Sequence, residues 1–169
     1  ADTEVGKIPH MSATQLCIQA AKRAMDDAGI TKDQVDGLVT CNSMAEPHMY
    51  HAEAMAEYLQ IFPKYCVSAG AGGGTTFAVL YQAAAAIVHG ICETVVISMA
   101  DSLRTGLSRE AAMVMQSSSG HPQYETPYGS TVPGYYALIA QAYMHEFGAT
   151  PEHLAGVAVT CRNHACLHP

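Results

Sequence analysis

Charge is scarce in this chain. Asp, Glu, Lys and Arg make up 14% of its 169 residues, whereas 49% are hydrophobic. Soluble domains average about 25% charged residues, so an isolated domain of this composition would leave apolar patches exposed. Burial against another subunit or another segment is the expectation. Positive charge is the scarcer sign, with eight Lys and Arg against fifteen acidic residues and a formal net charge of −7. The basic residues form no stripe, which argues against a nucleic-acid partner. No stretch reaches the roughly 18 consecutive apolar residues of a membrane span. The opening Ala1-Asp2-Thr3-Glu4 is not the basic-then-apolar leader of a secreted protein. The six cysteines include no Cys-x-x-Cys pair, and a chain this long needs no disulfide staples. Reduced thiols in a cytoplasmic protein are therefore expected.

What the chain does contain is α/β patterning. From Ser12 to Ala28, apolar residues recur at Leu16, Ala20, Ala24 and Ala28, the spacing of an amphipathic helix. Ser12 is suited to cap its start and Gly29 to end it. Asp36–Cys41 reads as a short buried strand, Met49–Leu59 as a helix and Tyr65–Ser68 as a second strand. A turn containing Gly70, Gly72, Gly73 and Gly74 then opens a helix over Thr75–His89, broken in polarity only by Gln82 and His89. A helix with no polar face needs cover on all sides, and this one is too short for a bilayer, which takes about 20 residues. It belongs in the middle of a layered protein. Glu93–Met99 reads as the next strand, giving a right-handed β-turn-α-β crossover. Asp101–Pro133 is polar and reads as a long irregular loop of functional or interface character. Helices over Tyr135–Phe147 and Pro151–Leu167 follow.

The glycine turn is the strongest candidate site. Unpaired N–H groups at such a turn face whatever lies above it, which suits an anion or a developing oxyanion. No Lys follows the glycines, so the turn is not a P-loop; Thr75 stands where a third Rossmann glycine would, and no acidic residue ends the next strand. The alternative is that the glycines only let the helix pack closely between layers. No Cys, Ser or Lys stands where a nucleophile would be expected.

Other clusters are less specific. Cys161, His164 and His168 fall on one helical face near Cys166, yet their spacing matches no closed zinc site, and packing is the favoured reading; no metal is expected. His48 and His51 sit in a turn entering a helix. Tyr124, Glu125 and Tyr128 lie in the long loop, where a phenol could handle a proton if a partner lies close or simply anchor the loop by packing.

Three passages together resemble the thiolase superfamily, in its sterol-carrier-protein-2 thiolase-like branch. Val67-Ser68-Ala69-Gly70-Ala71-Gly72-Gly73-Gly74 with its apolar helix resembles the nucleophile turn and buried central helix. Glu93–Met99 resembles the strand that pairs across the dimer. Tyr143–Ala155 and Arg162-Asn163-His164-Ala165 resemble helices of the family's loop domain. The resemblance implies a layered αβαβα fold, of which only the N-terminal half and part of the loop domain are present. Residues 1–105 would be the N-terminal core, its first strand missing, and 106–169 loop domain. The chain would then be a fragment of a protein of roughly 400 residues, larger than one core sustains.

The resemblance puts the family's nucleophilic Cys on Ala71, which cannot attack a thioester; Cys66, five residues earlier, is a poor substitute. Members lacking the Cys include enzymes that cleave carbon–carbon bonds of acyl-CoA thioesters by a retro-aldol route. That mechanism is the leading expectation, with acyl transfer less favoured. Gly70, Ala71, Gly72, Gly73 and Gly74 would line the thioester site, with Tyr128 and, more weakly, His164 as catalytic candidates. Acyl-CoA would be substrate, with no cofactor, and Arg104, Arg109 and Arg162 could meet its phosphates. A homodimer and a zinc-ribbon/OB-fold partner protein are implied as well. The contrasting expectation is a catalytically degenerate subunit that binds acyl-CoA or lipid, or scaffolds a partner; a nucleotide-binding module rests only on the imperfect glycine pattern.

Overall fold

The computed structural model describes residues 1–118, 120–129 and 131–167. They fall into two units, Ala1–Arg109 and Glu110–Pro169.

The first unit is built on a parallel sheet. Strand β1 (Gly37–Thr40) lies between β2 (Tyr65–Ser68) and β3 (Val95–Ser98), with Leu38 level with Cys66 and Val96, and Thr40 level with Ser68 and Ser98. Successive side chains of a strand point to opposite faces, and here both faces are used. Leu38 and Val96 pack with Cys17, Ala21 and Met25 of helix α1 (Ala13–Ala28) and with Met55 and Ala56 of α2 (His51–Leu59). Val39, one residue on, meets Val79 and Ala83 of α3 (Thr75–Val88), with Val95 and Ile97 beside it. Helices cover both faces, as parallel strands require. The β2–α3–β3 connection crosses over β1 from one edge to the other.

Local chemistry sets the helix ends. Ser12 Oγ accepts the Gln15 N–H at 3.2 Å and Gln15 Oε1 accepts the Ser12 N–H at 2.9 Å, a capping box that satisfies two donors at the start of α1. Gly29 closes that helix. Helix α3 buries Thr75, Val79, Ala83 and Ala86, while Phe77, Leu80, Tyr81 and Val88 stay exposed. One apolar face thus lies on the sheet, and the described residues do not supply the second layer that the rest of its circumference calls for.

The N-terminal ends of the strands are tied together by Asp36. Its Oδ1 accepts the N–H groups of Glu93 and Thr94, both at 2.8 Å, its Oδ2 accepts Lys64 Nζ at 3.1 Å, and its carbonyl accepts the N–H of Lys64 and Tyr65. The two backbone N–H donors, ahead of the Lys64 bond and charge, hold its carboxyl below the usual carboxylate range. A carboxylate whose pKa is lowered on folding stabilises the fold in full above its unfolded value and loses that contribution as pH falls through the folded one. Acid unfolding below about pH 4 is therefore expected to be shallower in Asp36→Asn than in the wild type, read as Tm against pH. Parallel curves for the two proteins would reject the assignment.

Several parts of the chain differ from the sequence expectation, including α2, which begins at His51 and not Met49, and β3, which spans Val95–Ser98 and not Glu93–Met99. Asp101–Pro133 is not irregular throughout, since it carries α4 (Leu103–Gly106), α5 (Arg109–Ser117) and a 3-10 turn at Thr126–Tyr128. The residues of α5 are mostly good helix formers, but the helix is short and lies among serines and glycines that mask its period. Helix α6 (Val132–Phe147) begins before Tyr135, because Thr131 takes the extended cap conformation and Pro133 sits in the first turn, where a proline fits rather than breaks. Helix α7 (Pro151–Ala165) ends two residues before Leu167. Helices α5, α6 and α7 contain no fully buried residue. Among the described residues, no helix is long and apolar enough to cross a membrane.

Candidate functional site

Ligands of open parallel sheets bind beyond the C-terminal ends of the strands, and the glycine turn lies there. It is fastened at its start, where the Ala69 N–H donates to the Thr40 carbonyl at 2.9 Å. Gly72 then takes φ +54°, a left-handed conformation that costs other residues about 1–2 kcal/mol. The N–H of Gly74 returns to the Ala71 carbonyl and that of Thr75 to the Gly72 carbonyl, each at 3.1 Å. The Ala71 N–H differs from its glycine neighbours in being taken up by Thr75 Oγ1 at 2.9 Å, while the Thr75 hydroxyl donates to the Gly72 carbonyl at 2.7 Å. No acceptor among the described residues takes the N–H of Gly70, Gly72 or Gly73. These three remain as donors for a ligand or water.

The glycines are not explained by close packing within this chain. A Cβ added at Gly70, Gly72 or Gly73 would meet nothing within 4 Å. The space over the turn is open. A separate hollow of about 670 Å³ lies at the other end of the strands, around Lys32, Asp36, Phe62 and Lys64. Its Asp36–Lys64 pair already serves to tie the sheet, and it has no part in the turn.

Two side chains from distant sequence shape the rim. The Ser68 hydroxyl, at the end of β2, donates to Asn42 Oδ1. Asp101, after β3, gathers the loop that follows β1. Its carboxylate accepts the Ser43 hydroxyl at 3.1 Å and the N–H groups of Met44, Ala45 and Ser102 at 2.7, 3.2 and 2.8 Å. Ser43 Oγ in turn accepts the Glu46 N–H at 3.0 Å. Sequence reading missed Asn42, Asp101 and Thr75 as contributors to the site. Only Thr75 carried a local signal, as a hydroxyl four residues after Ala71.

Neither nearby thiol offers a thiolate at the turn. Cys66 packs toward the α1–α2 face, away from α3, and burial followed by the Glu53 charge pushes its thiol pKa up. Cys41 does lie against the Thr75 hydroxyl, but burial and then the Asp101 charge raise its pKa. Both stay protonated at neutral pH. A thiol, unlike a thiolate, is a weak nucleophile.

The histidines near α2 form a separate cluster. His48 and His51 have ring centroids 5.8 Å apart, and His48 Nε2 lies 3.3 Å from Thr14 Oγ1. His51, the first residue of α2, is buried with its Nδ1 unpartnered among the described residues. Burial, ahead of the His48 charge, lowers its pKa and favours the neutral ring.

The remaining candidates belong to the second unit. Tyr128 ends the 3-10 turn and is exposed. Its N–H donates to the Glu125 carbonyl at 3.1 Å, and the Glu125 carboxylate accepts the His121 N–H. Tyr124 stacks on His121 with centroids 4.8 Å apart. His164 lies exposed on α7 with Cys161, and Cys166 follows the helix; His168 is outside the described residues. Among the described residues, no three His, Cys, Asp or Glu side chains converge to hold a metal ion.

No protein-family model matches the chain. A steroid side-chain-cleaving aldolase of Thermomonospora curvata is 34% identical over 175 residues, an alignment covering 99% of this chain and 44% of that protein. A 17-hydroxy-3-oxo-4-pregnene-20-carboxyl-CoA lyase of Mycobacterium tuberculosis is 30% identical over the same length, with the same shares. The solved structure of an Ltp2-ChsH2(DUF35) aldolase matches with a TM-score of 0.80 and 33% identity, over 99% of this chain and 42% of that one. The chain spans less than half the length of each.

Proposed function

We propose that this chain, which belongs to the thiolase superfamily in its sterol-carrier-protein-2 thiolase-like branch, is part of an enzyme that cleaves a carbon–carbon bond of an acyl-CoA thioester without a cysteine nucleophile. The observation that carries this is the set of open glycine N–H donors around Ala71, the residue that the resemblance sets at the family's nucleophile position. Retro-aldol cleavage needs the donors and not the thiol. A base removes the proton of a hydroxyl on the β-carbon, the Cα–Cβ bond breaks, and the β-carbon leaves as a carbonyl. The electron pair passes to the thioester enolate, which an acid then protonates at Cα. Negative charge develops on the thioester oxygen, where preorganised N–H groups are most effective because they need not reorient.

In this reading Gly70, Ala71, Gly72, Gly73 and Gly74 line the thioester site, with Gly70, Gly72 and Gly73 supplying free donors. Tyr128 handles a proton or contacts substrate, and His164 has a weaker claim to the same work. Arg104, Arg109 and Arg162 meet CoA phosphates. The enzyme needs no cofactor beyond its acyl-CoA substrate. It is a cytoplasmic homodimer, and its open α3 face is covered by further protein. One structural relative is an Ltp2-ChsH2(DUF35) aldolase, and a zinc-ribbon/OB-fold partner protein is part of the same proposal here.

The test is to incubate the complete natural protein, with any subunit that co-purifies, with a β-hydroxyacyl-CoA. A carbonyl product and a shortened CoA ester are expected in equal amounts, with no acyl adduct on the protein by mass spectrometry. Binding without turnover would instead support a degenerate acyl-CoA-binding subunit.

A further inference from the structure

We infer that Thr75 is the positioning residue of the glycine turn, fixing which backbone N–H groups face the thioester oxygen now that no nucleophile side chain occupies the turn. The inference rests on the thioester reading above. Thr75 is buried, with 8% of its surface exposed. A hydroxyl has one proton to give and two lone pairs to offer. The proton goes to the Gly72 carbonyl and one lone pair takes the Ala71 N–H, at 2.7 and 2.9 Å; the Cys41 thiol lies against the same group.

The consequence follows from peptide geometry. The peptide bonds of this turn are trans, as are all those among the described residues, so the C=O and N–H of one peptide point in opposite directions. Drawing the Gly72 carbonyl toward Thr75 therefore aims the Gly73 N–H away from Thr75. The Ala71 carbonyl is likewise held by the Gly74 N–H, which aims the Gly72 N–H away from Gly74. Neither N–H has an acceptor among the described residues, and a Cβ at Gly72 or Gly73 would find open space. A glycine-rich segment has wide conformational freedom; the Thr75 hydroxyl restricts it at the Gly70–Ala71 peptide and, together with the Thr75 N–H at 3.1 Å, at the Gly72–Gly73 peptide that carries the Gly73 N–H, while the Gly74 N–H holds the Ala71–Gly72 peptide.

The test uses Thr75→Val, which keeps the shape and removes both bonds, and Thr75→Ser, which restores the hydroxyl, each in the complete protein. Thr75→Val is expected to lose about 10- to 100-fold in kcat for β-hydroxyacyl-CoA cleavage, on the scale of one oxyanion donor or less. KM should change little, and Thr75→Ser should recover most of the rate. A second readout compares an acyl-CoA with its S-alkyl thioether, which lacks the carbonyl oxygen. Wild type should bind the acyl-CoA more tightly and Thr75→Val should lose that preference, with thioether affinity unchanged. Equal weakening of both ligands would mean a merely structural role and overturn the inference, as would full kcat in Thr75→Val. Should Thr75→Val not fold, the Gly73 amide proton of wild type decides: it should shift with the acyl-CoA and not with the thioether, and no difference overturns the proposal. A wild type that neither binds nor cleaves acyl-CoA sinks the thioester reading with it; an active wild type matched by Thr75→Val sinks this inference alone.

Discussion

Gly73→Val is expected to lower kcat/KM for acyl-CoA cleavage by about 100-fold, the scale of losing one preorganised oxyanion donor, while leaving the Tm close to that of the wild type. The two halves of this expectation have separate origins. A Cβ at Gly73 meets no atom within 4 Å, and the residue does not require the left-handed conformation that Gly72 does. Folding therefore has little reason to suffer. The same empty space is where a thioester oxygen would reach the Gly73 N–H, and a branched side chain would fill it. Steady-state kinetics beside thermal melts of both proteins give the answer. A variant that melts far lower would mean that the glycine serves packing against protein. One with unchanged kinetics would move the thioester elsewhere.

Leu38→Ala should cost about 2–5 kcal/mol of unfolding free energy, the range for a buried leucine whose cavity does not collapse. Leu38 has no exposed surface and sits in the central strand, packed with residues of both α1 and α2. Strands pair with β1 on both sides, so the backbone has little room to move inward and fill the void. Urea unfolding of the complete protein measures the loss. A change below about 1 kcal/mol, nearer the cost of a volume-conserving swap, would mean that the α1–α2 face is loosely packed and that the core has been misassigned.

Much of the first unit was legible because its signals are local. The cap at Ser12, the end of α1 at Gly29 and the short buried strand through Leu38 and Val39 each arise within a few residues. The apolar surface of α3, broken within the helix only by Gln82, pointed to a layered protein, and Phe77 and Tyr81 on that helix stay exposed among the described residues. Signals failed where composition concealed period. Helix α5 is a single short run among serines, and Pro133 reads as a breaker unless Thr131 is seen to cap the helix just before it.

At the site the division is sharper. Composition and order of residues determined that a glycine turn leads from a short apolar strand into an oily helix, and that alanine stands at position 71; these follow from the covalent chain, and no folding can supply a thiol that the chain does not encode there. The tertiary structure alone decided which amides stay free. Asp101 reaches a loop 57 positions earlier, Asn42 meets Ser68 across 26, and the Thr75 hydroxyl turns toward Ala71 and Gly72. The direction of a hydrogen bond depends on angles set by packing of the whole sheet, and no periodicity in a one-dimensional string records them.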